Sequence, residues 1–273
     1  RKGAGFALPF WLGLVLSAGA LYLSLRGVQW GDAWAALAGV NGLLVASTLV
    51  AVVATTLAKA ARWGSLLAPD RVRLRSLFSL FLVGQLVNGL LPGRLGELAR
   101  AYLLGERQQL GKARVLGTIL VEKFLDVVML WGLLLGLLVA LPLPSWFHSS
   151  LLPLGGIALS LLALVLFATW GRGFLERISA FLPLRWRQVL LDGVEGISAL
   201  RRAGRLSRAL AWSTLIWALA ASTNYLLLSA FHLQQELCPL VPFVILVAIH
   251  IGALLPTAPA QIGVFHYLCI LSL

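Results

Sequence analysis

The stretch Gln85–Arg100, QLVNGLLPGRLGELAR, decides how the rest of this chain is interpreted. It places a Pro92-Gly93 break inside apolar, helix-forming sequence, and it carries three charged residues, Arg94, Glu97 and Arg100. A break in a membrane helix frees backbone groups at a large cost, so it persists only beside protein or a water-filled cavity. Charges at that depth are rare and mark a pathway or a site. This stretch is therefore the first candidate functional site.

The composition predicts an all-α polytopic membrane protein. The chain has 273 residues, 60% of them hydrophobic and only 12% charged, whereas soluble domains are about half apolar and a quarter charged. Apolar runs of about 20 residues are long enough to cross a bilayer. We treat 1–273 as one transmembrane domain with spans at about 6–25, 37–58, 115–140, 151–170 and 209–231, and with shorter runs at about 76–91 and 240–255.

Both ends of the chain lie in apolar sequence. RKGAGFALPF is not followed by a small-residue cleavage site, so we predict a first membrane helix rather than a removed signal peptide. LCILSL stops inside an apolar run, and we expect the natural chain to continue beyond residue 273. Cys238 and Cys269 have no spacing typical of a disulfide framework or a metal site.

The distribution of positive charge predicts the orientation. With the N-terminus inside, all of the 22 Lys and Arg residues except Arg26 and Lys123 fall on inner segments. This bias is typical of a multi-pass protein of the cytoplasmic membrane with a cytoplasmic N-terminus. A basic inner face also attracts anionic lipid headgroups, so the net charge of +12 requires no nucleic acid partner.

The short run 76–91 has basic segments on both sides, which favours a hairpin over a crossing. We predict a re-entrant helical hairpin over about 76–106 that enters from the inside and turns at Pro92, Gly93 and Gly96. A tilted full crossing is the alternative. A similar pattern recurs later in the chain: GLLPGRLGEL at 89–98 resembles ALLPTAPAQIGVF at 253–265.

This internal similarity predicts a second hairpin over about 240–273, with turns at Pro256, Pro259 and Gly263. The parity of the spans makes it enter from the opposite face. Paired, Pro/Gly-interrupted short segments indicate an inverted-repeat transporter with its site near the bilayer midplane. Chance similarity is the alternative, because the similar segment is short.

The inner segment at about 171–208 has a different pattern. From Leu184 to Gly204, apolar residues recur at helical spacing with arginines between them. This pattern predicts an amphipathic cytoplasmic helix at the membrane interface, or else an ordinary cytoplasmic linker helix. We assign it no chemistry.

A second polar group, VEKFLDVV at 121–128, lies inside a predicted span. Glu122 and Asp126 are four residues apart and share a helix face. In one interpretation Lys123 extends to the interface and Glu122 forms a local ion pair with it. We favour the other, in which Glu122 and Asp126 face the bundle and pair with Arg94 or Arg100, because an unpaired buried carboxylate would be neutralised.

Several chemistries have no support in the sequence. It contains no Walker loop, no paired outer-loop carboxylates suited to a lipid-linked glycosyltransferase, and no HExxH spacing, so we predict no metal and no cofactor. His250 and His266 flank the second hairpin. A hydrogen-bonded structural role is favoured for both, and proton transfer is the alternative, since histidine titrates near neutral pH.

Three segments together resemble one family: VGQLVNGLLPGRLGELARAYLL, VEKFLDVV and LLPTAPAQIGVFHY. In order and spacing they look like the membrane domain of the lysylphosphatidylglycerol synthase transmembrane (flippase-like) family, over nearly the whole chain. The most specific motif, PGRLGE, matches at Pro92, Gly93, Arg94, Gly96 and Glu97. The family's usual Glu-Arg followed by Asp stands here as Glu122-Lys123 and Asp126.

The second hairpin departs from the family pattern. Where the family has Pro-Gly-Gly-x-Gly-x-x-Glu, this chain has Pro259, Ala260, Gln261, Gly263 and His266. The missing acid bears on which headgroup or coupling ion is handled. The resemblance implies a helical bundle with two hairpins that meet in a cavity, and a link to aminoacylated phosphatidylglycerol or polyprenyl-linked sugars.

The sequence therefore predicts a flippase for a phosphate-bearing lipid. Arginines would hold the phosphate and carboxylates would orient them, in a substrate site of Gln85, Asn88, Arg94, Glu97, Arg100, Glu122, Asp126, His250, Gln261 and His266. The alternatives are a membrane-embedded enzyme or accessory subunit, with Glu122, Asp126 and His266 as acid/base or metal candidates, and a scaffold. Expected partners are an anionic phospholipid or polyprenyl-phosphate lipid, the membrane, a second copy of the chain, and a separate lipid-modifying enzyme.

Overall fold

The computed structural model describes residues 15, 18–26, 28–90, 95–170, 172–179, 181, 183–198, 203–233, 237–253 and 263–272. Within these residues the regular structure is entirely helical, as predicted. Residues 18–25 are helical, and eleven further helices follow: α1 Trp30–Ala38, α2 Gly42–Leu67, α3 Leu74–Leu90, α4 Gly96–Gln108, α5 Lys112–Ala140, α6 Ser145–Trp170, α7 Arg172–Ser179, α8 Leu184–Ile197, α9 Ala203–Ala230, α10 Val241–Gly252 and α11 Val264–Ser272.

Three of the described helices are long and apolar enough to cross a membrane: α2, α5 and residues Ser145–Phe167 of α6. The first overlaps the span predicted at 37–58, the second includes that predicted at 115–140, and the third overlaps that predicted at 151–170. The span predicted at 209–231 lies in α9, which is long but less apolar. Most of the span predicted at 6–25 lies outside the described residues.

Helix α2 differs from its prediction at the C-terminal end. The Asn41 side chain caps its start by accepting hydrogen bonds from the Leu43 and Leu44 amides. The helix then continues to Leu67, nine residues beyond the predicted end of the span. Lys59 and Arg62, assigned to an inner basic segment by the sequence, therefore lie within α2. Apolar residues beyond them keep the helix packed in the bundle, with Trp63 and Leu66 buried.

Helices α3 and α4 pack against each other in antiparallel directions. Gly84 lies against Gly96 and Arg100, whereas Asn88, one turn later in α3, contacts the start of α4. Residues 91–94, with Pro92, Gly93 and Arg94, lie outside the described part of the chain. Helices α10 and α11 also pack together, with Gly252 against Leu268 and Val264. Membrane re-entry of either pair, and an inverted relation between them, remain predictions.

The segment at 171–208 is divided between helices rather than formed by one. Helix α8 ends at Ile197 and α9 begins at Ala203. Helix α8 packs closely against α5, because Gly117 faces Gly193 and Gly196 without intervening side chains. Its exposed side presents Leu184, Arg185, Trp186 and Val189, which is a composition suited to a membrane interface.

Candidate functional site

A buried ion pair connects α4 to α5. Arg100 donates from Nη2 to Glu122 Oε2 at 2.9 Å and from Nη1 to Glu122 Oε1 at 3.3 Å. Both residues are almost inaccessible, at 4% and 3% exposure. Gly84 of α3 makes room for the arginine, because a Cβ there would lie 2.7 Å from Arg100 Cδ. The predicted pairing of Glu122 with Arg100 is confirmed.

Aromatic rings cover the Arg100 guanidinium. Its central carbon lies 3.6 Å from the ring centroid of Phe81 and 4.2 Å from that of Trp63. The Trp63 indole donates from Nε1 to Thr118 Oγ1 at 3.1 Å, which fixes its orientation. Cation–π contacts of this kind are strongest where the cation is desolvated. Arg100 is therefore held on three sides by α2, α3 and α5.

A second arginine, Arg62, pairs with the other carboxylate. Its Nη1 donates to Asp126 Oδ1 at 2.7 Å and to Ser213 Oγ at 2.9 Å. Its Nη2 lies 3.9 Å from Glu122 Oε1. Arg62 is fully buried, so this contact joins α2, α5 and α9 in the interior. Among the described residues, Asp126 thus pairs with Arg62 and not with Arg100, and Arg62, counted in a basic inner segment by the sequence analysis, lies within α2.

A third ion pair lies nearer to the surface. Lys123 Nζ lies 2.9 Å from Glu97 Oε1, and the two side chains are 43% and 19% exposed. Asn88 donates from Nδ2 to Glu97 Oε2 at 3.4 Å and accepts from the Gly96 amide at 2.7 Å. Asn88 therefore links α3 to the first turn of α4 and positions Glu97. Lys123 pairs with the first helical hairpin rather than with its neighbour Glu122.

The second helix pair contributes one residue near these charges. The His250 ring is bonded from Nδ1 to the Leu246 carbonyl at 2.8 Å and lies 4.8 Å from the ring of Trp217. It is close enough to Lys59, Lys123 and Asp126 to interact with them electrostatically. The favoured structural role of His250 fits these contacts.

Two described residues of the predicted site, Gln85 and His266, lie outside these ion pairs. His266 is exposed and accepts at 3.4 Å from the amide of Gly263, which has φ of 92°. Gln85 is also exposed. Pro256, Pro259 and Gln261 lie outside the described residues, like Arg94.

We call the following set the charged cluster: Lys59, Arg62, Glu97, Arg100, Glu122, Lys123 and Asp126. Sequence reasoning missed Lys59, Arg62 and Ser213. One signal was available for the first two: they are three residues apart at the end of an apolar run and so share a helix face.

The helices and the charged cluster define a polytopic helical membrane protein with ionised groups paired between its helices. Residues 10–273 match the family described as lysylphosphatidylglycerol synthase TM region, and the chain belongs to that family. Searches of curated proteins and of solved structures found no significant match.

Proposed function

We propose that the protein is a lipid translocase that moves a phosphate-bearing lipid between leaflets. Candidate substrates are an aminoacyl-phospholipid and a polyprenyl-phosphate-linked sugar. Membership of a lipid-related membrane family supports the class of function. The observation that carries the proposal is the charged cluster, which joins the first hairpin to the spanning helices α2 and α5.

The pairing within the cluster is suited to a headgroup pathway. Ionised groups inside a membrane protein are costly unless they are paired, and they are typical of substrate and ion pathways. Two buried pairs, Arg100–Glu122 and Arg62–Asp126, would supply fixed charge. The partly exposed Glu97, Lys123 and Asp126 would supply groups that a headgroup can reach while its acyl chains stay in lipid.

The roles within the site differ from those predicted. Arg100 engages both Glu122 oxygens and is covered by two rings, so we assign it to positioning rather than to phosphate binding. Glu97 and Asp126 remain candidates for a cationic headgroup, and Arg94 for its phosphate. Asn88 would hold the hairpin, and the N-terminus of α4 would add a favourable dipole for an anion.

We propose that the first hairpin enters from the cytoplasmic face and the second from the opposite face. Rocking of one half against the other would then expose the charged cluster alternately to each side. The N-terminus would be cytoplasmic, in the cytoplasmic membrane.

Catalysis is less well supported by the geometry. A general acid or base must reach a substrate proton, and both oxygens of Glu122 are occupied by Arg100 in a site of 3% exposure. Among the described residues, neither His250 nor His266 hydrogen-bonds a carboxylate. The enzyme alternative therefore has no specific contact in its favour.

A flip assay in proteoliposomes tests the proposal. Labelled aminoacyl-phosphatidylglycerol is reconstituted with wild-type protein, and inward and outward movement is followed by quenching of the outer leaflet. We expect Glu97→Ala and Arg94→Ala to slow movement at least about tenfold, equivalent to about 1.4 kcal/mol. Glu106→Ala is the matched control, because Glu106 pairs with Lys112 on the surface of neighbouring helices. Equal rates for wild type and both site variants would disprove the site assignment.

A further inference from the structure

The charged cluster contains more positive than negative groups. Its cations are Lys59, Arg62, Arg100 and Lys123, and its acids are Glu97, Glu122 and Asp126. Each acid already has a cation within ion-pair distance. With His250 neutral, four positive and three negative charges leave the cluster with an excess of one positive charge among the described residues.

The excess charge belongs to Lys59. Within the described part of the chain it forms no ion pair and no hydrogen bond, although Asp126 and Glu122 attract it and Arg62 and Lys123 repel it. It is eight residues, about 12 Å at 1.5 Å per residue, before the C-terminal end of α2. A charged residue within a spanning helix is by default a functional candidate.

Arg62 adds unused donors on the same face of α2. Its Nε and Nη2 are buried and have no hydrogen-bond partner in the described structure. Buried donors left unsatisfied are costly, since they have lost water without gaining an acceptor. Within the described part of the chain, a lysine without an ion-pair partner lies next to a guanidinium with unsatisfied donors, and an anion would stabilise both.

We propose that Lys59, supported by Arg62, binds the single negative charge of a phosphodiester headgroup. Three observations on the described residues carry this inference: the excess of one positive charge, the absence of a partner for Lys59 among them, and the unsatisfied donors of Arg62. Lys59 is partly exposed, whereas Arg100 is enclosed by Glu122, Trp63 and Phe81. The assignment of a lipid as the source of the phosphodiester rests on the proposed function.

Lipid retention by the purified full chain tests this site. The protein is exchanged into detergent with equal amounts of phosphatidylglycerol and diacylglycerol, and bound lipid is measured by native mass spectrometry. Lys59→Met removes the charge and keeps an unbranched side chain, and Lys59→Arg keeps the charge. Lys112→Met is the matched control, since Lys112 is an exposed lysine that pairs with Glu106.

We expect Lys59→Met to retain at least about tenfold less phosphatidylglycerol, with diacylglycerol unchanged, a factor that corresponds to one lost charge-assisted contact. Lys59→Arg and Lys112→Met should bind as wild type does. Soluble glycerophosphoglycerol, a phosphodiester without acyl chains, is added as a competitor to separate a free phosphodiester from a lipid headgroup. Competition that depends on Lys59 assigns the site to the phosphate itself, and its absence assigns the site to the lipid-borne headgroup; both support it.

Two results would overturn the inference. One is phosphatidylglycerol retention by Lys59→Met equal to that of wild type, and the other is an equal loss of phosphatidylglycerol and diacylglycerol. Failure of the proposed function can be distinguished from failure of this inference. If the wild-type protein retains phosphatidylglycerol through Lys59 but moves no lipid, the translocase proposal is refuted and the binding site is supported.

Discussion

Replacing Glu122 by glutamine should test whether the charged cluster holds the helices together. The side chain accepts from Arg100 at 2.9 and 3.3 Å and lies 3.9 Å from Arg62. Arg100 and Arg62 are 4% and 0% exposed, so water cannot replace the lost carboxylate as a partner of either guanidinium group. Glutamine keeps the shape and one acceptor but removes the charge that both guanidinium groups face.

The expected cost follows from that burial. Removing one partner of a buried ion pair typically costs about 3–5 kcal/mol, because the remaining charge is left uncompensated. Arg100 Nε already lacks a hydrogen-bond partner, which leaves the guanidinium few ways to compensate. We expect the free energy of unfolding in detergent, measured by reversible SDS titration, to fall by about that amount.

Two variants make the measurement specific. Glu106→Gln also removes a carboxylate from an ion pair, but on an exposed surface, and it should change the free energy of unfolding little. The double variant Glu122→Met/Arg100→Met removes both charges and should be more stable than Glu122→Met alone, since no buried cation is stranded. Equal effects of Glu122→Gln and Glu106→Gln, or a double variant no more stable than Glu122→Met, would refute a structural role for the buried pair.

Two further predictions concern glycine contacts. Gly96→Ala should lower the midpoint of thermal unfolding and slow lipid flipping, because the new Cβ would lie 2.6 Å from the Asn88 side-chain oxygen at the contact between α3 and α4. We expect a cost of about 1–3 kcal/mol. Gly89→Ala in the same hairpin places its Cβ more than 4 Å from any other atom and should change neither the midpoint nor the flipping rate. Gly117→Ala should separate α8 from α5 and increase proteolysis within residues 183–198, whereas Gly132→Ala, in open space on the same helix, should leave the cleavage pattern unchanged.

The sequence predicted the parts of the site that depend on local spacing. Apolar runs of sufficient length gave three of the spans, because a bilayer imposes that length on any helix crossing it. The four-residue spacing of Glu122 and Asp126 placed both on one helix face. Because a carboxylate buried without a partner would be neutralised, the sequence also indicated a buried cationic partner. Arg100 was among the two candidates named, and it is the partner of Glu122.

Tertiary structure decided which groups are enclosed and which remain available. Arg62 and Asp126 are 64 residues apart, and Arg62 and Ser213 are 151 apart, so no periodicity within one helix relates them. Charge counting placed Arg62 and Lys59 in a basic segment after the predicted span, whereas α2 continues to Leu67 and includes both residues. Only the packed helices show that Arg100 is enclosed and paired with Glu122 and that Lys59 has no partner among the described residues. The amino-acid sequence determined that charges enter the membrane, and three-dimensional packing determined how they are paired, since pairing depends on distances between helices that lie far apart in the chain.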